Sequence, residues 1–175
     1  MTIYVALLRG INVGTAKRVA MPALRELASA LGYGNVRSHI NSGNLILTTD
    51  EPAEEVRRAL EQGIEQRFGL HADVVVRTAD RLAEVLRDNP YPDGDPSRVT
   101  IAFLAGPAPD GVQGRLAALA ADDEPFVVRP LEVYVEYGHG QATSALAPKF
   151  AAVLGVSATV RNLRTVTALV DLSRR

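Results

Sequence analysis

The chain contains no cysteine. That excludes a disulfide framework, a thiolate zinc site and a cysteine nucleophile. Long apolar runs are also missing. The run Ile3–Leu8 stops at Arg9 after six residues, too short for a signal h-region. No stretch approaches the roughly 18 apolar residues that a membrane helix needs. The expectation is a soluble, cytoplasmic protein with no membrane partner. Neither sign of charge dominates: 19 Lys and Arg stand against 20 Asp and Glu, a formal net charge of -1. A globally basic nucleic-acid binder is thereby excluded, and any such role needs a local patch. Lysine is scarce, with 17 arginines to 2 lysines. A GC-rich genome produces that ratio, so arginine number alone carries no function.

Several motifs are absent too. There is no G-x-x-x-x-G-K-[ST] loop, no Rossmann fingerprint, no H-E-x-x-H and no G-x-S-x-G elbow. The three histidines, His39, His71 and His139, have no partners at zinc-site spacing. No cofactor and no metal site are expected. Aromatics are few in the strand-like runs at 3–8 and 44–49, where Tyr4 stands alone. The base-stacking mode of RRM domains needs more.

What is present is an ordered series of elements. The 175 residues, 47% hydrophobic, suffice for one core or for two small subdomains. Residues 3–8 read as a central strand. Leu24, Leu27, Ala28 and Leu31 define a helix over 21–31 that stops at Gly32. Runs at 35–40 and 44–49 flank Asn41-Ser42-Gly43, a hairpin signal. A helix follows Asp50-Glu51-Pro52, with Val56, Leu60 and Ile64 inside, and a strand at 72–77 closes the set. This β-α-β-β-α-β order is a ferredoxin-like unit. Thr78 or Asp80 can cap a connecting helix, which ends before the turn-rich NPYPDGDPS (89–97). Then come a strand at 98–104, a helix near 110–120, strands near 125–129 and 131–137, and a helix near 146–154. The spacing of Leu163, Val166, Leu169 and Val170 predicts a final helix over 160–172.

The expected fold class is therefore α+β. Residues 1–77 form a first ferredoxin-like half and 78–97 a connecting helix and linker. Residues 98–175 form an altered second half with a C-terminal helix in place of its fourth strand. A single larger mixed sheet is the alternative.

Three segments, ALLRGINVG (6–14), INSGN (40–44) and ATVRNLRT (158–165), together resemble a bacterial family known as domain of unknown function 1697. The resemblance spans essentially the whole chain. It implies two ferredoxin-like halves and brings no established activity, substrate or cofactor. Three positions depart from the family pattern: Gly14-Thr15 where paired glycines are frequent, His39 where an aromatic is frequent, and Leu163 where a tryptophan is frequent.

Two motifs bear on binding. In Arg9–Arg18 (RGINVGTAKR), Gly10 and Gly14 permit positive φ, while Arg9, Lys17 and Arg18 supply charge. Strand, glycine loop and helix is a geometry that holds anions; it is also an ordinary β–α connection with solvated charges. In the second motif, Arg161 and Arg164 are expected on one side of a helix start, where positive charge opposes the macrodipole at about 0.3–1 kcal/mol each. An internal carboxylate or a ligand anion would relieve that cost. The ligand-binding candidates are Arg9, Gly10, Asn12, Gly14, Lys17, Arg18, Arg161, Asn162, Arg164 and Thr165, with the two motifs expected to line one electropositive cleft. Asn41–Asn44 is expected to be structural hairpin chemistry, at the end of the sheet opposite the opening loop. His139, in a glycine-flanked loop, is the catalytic candidate. Asp122-Asp123-Glu124 reads as a solvated turn.

The leading function is binding of a phosphate-bearing or other anionic partner, either a small molecule or nucleic acid. The alternatives are an enzyme acting on a small anionic substrate and a protein-interaction module. The sequence sets no oligomeric state.

Overall fold

The apolar run at the N-terminus lies in strand β1, Thr2–Leu8. The computed structural model describes residues 1–12 and 18–174. After β1 come α1 (Met21–Ala30), β2 (Gly34–His39), β3 (Asn44–Thr49), α2 (Ala53–Phe68), β4 (Val74–Thr78) and α3 (Ala79–Arg87). Thr78 rather than Asp80 caps α3, since its Oγ1 accepts the Arg81 N–H at 3.1 Å. The second series is β5 (Val99–Leu104), α4 (Val112–Ala117), β6 (Phe126–Val128), β7 (Glu132–Glu136), α5 (Phe150–Leu154), β8 (Ala158–Asn162) and α6 (Leu163–Ser173). A 3-10 turn at Gln141–Thr143 precedes α5. The chain forms two compact units, Met1–Glu84 with Ala168–Arg175, and Val85–Thr167.

In the first unit the strand order is β2-β3-β1-β4. All its neighbouring strands are antiparallel. Leu24, Leu27 and Ala28 of α1 and Val56, Leu60 and Ile64 of α2 form the apolar stripes that the helical period requires. They pack with Tyr4, Ala6, Leu8, Leu45 and Leu47 in one core. The alternate residues Val5, Leu7, Ile46 and Val75 are buried on the other face of the sheet. Burial on both faces is why these strands read as unbroken apolar runs. Truncating Leu60 to alanine would cost about 2–5 kcal/mol.

In the second unit the order is β6-β7-β5-β8. Its core includes Leu104, Leu116, Val133, Tyr137, Phe150 and Leu154. Among the described residues no strand is shared between the two sheets, which excludes the single mixed sheet.

The helix expected over 160–172 is corrected. Thr159 and Val160 belong to β8, paired with Phe103 and Ala102 of β5, so the second sheet has its fourth strand. The four residues that set the helical spacing all lie in α6. The boundary falls at Asn162, whose Oδ1 accepts the Thr165 N–H at 2.9 Å and caps α6.

Candidate functional site

β1 and β2 are each antiparallel to β3, so they run in the same direction and finish at the same end of the sheet. The β1–α1 loop and the β2–β3 hairpin therefore meet, and the expectation that they lie at opposite ends is corrected. The Leu8 N–H donates to Gly43 O at 2.8 Å, and the Arg9 N–H donates to Asp73 O at 2.8 Å. Gly43 sits where the two backbones approach, with φ +74°; a Cβ there would lie 2.6 Å from Ile11 Cδ1. Asn44 is fully buried and closes the hairpin, its Nδ2 donating to His39 O at 3.0 Å and to Ser42 Oγ at 2.9 Å.

Asn12 ties these pieces together. Its φ is +56°. Its Nδ2 donates to Val19 O at 2.9 Å and to Asn41 O at 2.7 Å, and its Oδ1 accepts the Val19 N–H at 2.8 Å. Both amide protons are thus engaged, which makes Asn12 a clasp joining residues 12, 19 and 41. Gly10, at φ +75°, turns the chain out of β1 with open space beside it. Gly14 and Lys17 lie outside the described residues.

A cleft of about 480 Å³ lies against this clasp, lined by Asn12, Arg18, Val19, Ala20, Met21 and Asn41. It contains the start of α1. That helix has no side-chain cap and no acidic residue in its first turn, and Pro22 supplies no N–H. The N–H groups of Met21 and Ala23 have no acceptor among the described residues, so the positive end of the helix is turned to the cleft. Arg18 is exposed. It has no ion pair or hydrogen bond among the described residues, and the same holds for the side-chain amide of Asn41. Among the described residues no carboxylate lines the cleft. A guanidinium, oriented N–H groups and an amide can hold an anion; among the described residues the lining offers no nucleophile and no general base.

The remaining sequence candidates are placed differently. Arg9 Nη1 lies 3.6 Å from Asp73 Oδ2, and His71 Nε2 lies 3.2 Å from Asp73 Oδ1. Arg161, in β8, donates to Thr159 Oγ1 and Val160 O, both at 2.9 Å. Burial lowers its pKa to about 10. Arg164 lies in the first turn of α6, where its backbone N–H donates to Pro96 O at 3.0 Å. Arg161 and Arg164 therefore do not share a helix face, because one belongs to a strand. Thr165 is buried, its N–H taken by Asn162. His139 is 83% exposed and pairs with Asp123 at 3.4 Å. Among the described residues no group of three His, Cys, Asp or Glu could hold a metal ion. Likewise, no helix among them is long and apolar enough to cross a membrane.

Sequence reasoning missed the cleft rim at Val19-Ala20-Met21 and the role of Asn41. A signal was present: Met21-Pro22 opens a helical pattern with no Ser, Thr, Asp or Asn before it, which marks an uncapped start.

A family model described as protein of unknown function (DUF1697) matches residues 1–134. No curated protein matches the chain. Among solved structures, the conserved bacterial protein SP0830 from Streptococcus pneumoniae superposes with a TM-score of 0.76 at 22% sequence identity, covering 98% of each chain. At that identity the likeness establishes the fold.

Proposed function

The chain belongs to the DUF1697 family of proteins of unknown function, and from that premise we propose that it binds a phosphate-bearing or other anionic ligand in the cleft at the start of α1. One observation carries the reading: among the described residues Arg18 has no partner beside an uncapped helix start, in a cleft that none of their carboxylates lines. Positive charge near a helix N-terminus costs about 0.3–1 kcal/mol. A bound anion offsets that cost and accepts the unmet N–H groups at the same time. The cleft volume falls within the roughly 300–1,000 Å³ typical of small-molecule sites, which suits an organic phosphate, such as a nucleotide or the end of a nucleic acid, better than a bare ion. In this reading Arg18, Asn41 and the α1 amides touch the ligand, and Asn12 and Gly43 position them. Each half is read as a ferredoxin-like unit. The support is the β-α-β-β-α-β order and the strand orders β2-β3-β1-β4 and β6-β7-β5-β8.

A thermal-shift screen against nucleotides, phosphorylated metabolites and short oligonucleotides tests this, run in parallel on the wild type and on Arg18→Gln. A ligand that binds only the native state raises the apparent stability. At least one phosphate-bearing compound is expected to raise the wild-type midpoint and to leave that of the variant unmoved. A screen without such a compound, or with equal shifts in both proteins, defeats the reading.

A further inference from the structure

Arg37 has surroundings that the fold alone does not account for. It lies in β2, an edge strand of the first sheet. The register sets Ser38 opposite Leu45, and Leu45 belongs to the core under the helices. Arg25 Nη1, from α1, donates to Ser38 Oγ at 2.7 Å, which fixes Ser38 to that face. Alternation along the strand then places Arg37 and His39 together on the other face, opposite Ile46 and Asn44. The Nε of Arg37 is buried and makes no hydrogen bond among the described residues. Neither Arg37 nor His39 has an ion pair or a side-chain hydrogen bond among the described residues.

A solvated arginine meets water at every donor, and a core arginine is matched by a carboxylate. Arg37 does neither. An apolar side chain of the same length would fill the space without an unmet donor. A guanidinium fork beside a second nitrogen donor is instead the set that oxyanions take. We infer that Arg37 and His39 form an oxyanion site on the sheet face turned away from α1, separate from the α1 cleft, and that it takes a phosphate group. The spacing argues for phosphate over carboxylate. Same-face residues on a strand stand about 6.7 Å apart. A planar carboxylate is satisfied by one guanidinium fork, whereas the tetrahedral oxygens of a phosphate reach donors on two side chains.

The full chain, labelled with ¹⁵N, is titrated with inorganic phosphate and, separately, with acetate and with a nucleoside monophosphate at constant ionic strength. The Arg37 Nε–Hε and His39 ring signals are expected to move saturably with phosphate and at least about tenfold more weakly with acetate. The response is expected to persist in Arg18→Gln, while the His39 response is lost in Arg37→Met. That second variant is also expected to melt no lower than the wild type in phosphate-free buffer, since it loses an unmet donor and keeps its stem. If the Arg18 signal moves and the Arg37 signal does not, this inference fails and the cleft reading stands. If Arg37 moves alone, with inorganic phosphate and with a nucleoside monophosphate alike, the cleft reading is the one that fails. Equal responses to acetate and phosphate overturn the phosphate assignment, and a lower melting point for Arg37→Met overturns the claim that the fold leaves Arg37 unmatched.

Discussion

Gly43 and Ile40 occupy the same hairpin and meet opposite physical demands. Gly43 has φ +74° and no room for a Cβ, with Ile11 Cδ1 and Leu8 Cβ both under 3 Å from where one would sit. Gly43→Val is expected to cost at least about 2 kcal/mol, from backbone strain and overpacking together. An unchanged urea midpoint would contradict this. Ile40 also has positive φ, +49°, and the residue is 52% exposed. A β-branched residue there carries strain of order 1 kcal/mol. Ile40→Gly is therefore expected to raise the urea midpoint by about that much free energy, and a fall would show that the isoleucine side chain is held by contacts. The turn was legible in Asn-Ser-Gly-Asn, because those residues tolerate left-handed backbone. Ile40 was not legible, since its type argues against the conformation it adopts.

Among the elements, two asparagines do the joining. Asn162 ends β8 and caps α6 through the Thr165 N–H; Asn162→Ala is expected to cost about 1 kcal/mol, read as a lower thermal midpoint with the fold retained. Asn12 clasps Val19 and Asn41. Asn12→Ala leaves their backbone groups unmet and is expected to cost about 1–3 kcal/mol. It is also expected to remove any Arg18-dependent ligand stabilisation, because the cleft wall is no longer fixed; a retained ligand response would contradict the positioning role. Most helices and strands could be read from periodicity, as Leu24, Leu27 and Ala28 show for α1. β8 could not, because the apolar spacing that begins at Leu163 is helical and masks the short strand before it. The meeting of the opening loop with the hairpin follows from strand direction, not from any residue pattern. The cleft rim is short and apolar and carries no motif, so only the folded chain brings Arg18, Met21 and Asn41 together.

At the level of the whole molecule, the chain returns to its beginning. Residues 168–175 belong to the same compact unit as Met1–Glu84, and they include Leu169 and Val170, both buried. Periodicity shows that such residues are buried, not what they are buried with. Burying each side chain contributes about 1.5–3 kcal/mol. A chain ending at Thr167 is therefore expected to lose amide-exchange protection across β1 and β3, and unchanged protection there would contradict the membership of this segment in the first unit. Function is assigned to the start of α1 in that unit, where Arg18, without a partner among the described residues, lies beside an uncapped helix start. The most direct measurement is a ¹H–¹⁵N titration of the intact protein with a nucleoside monophosphate and, separately, with inorganic phosphate, read at the backbone amides of Met21 and Ala23 and at Arg18 Nε–Hε. All three are expected to move together along one saturation curve, and the amide shifts are expected to vanish in Arg18→Gln. Signals that stay fixed with both, or amide shifts of equal size in the variant, would contradict that assignment.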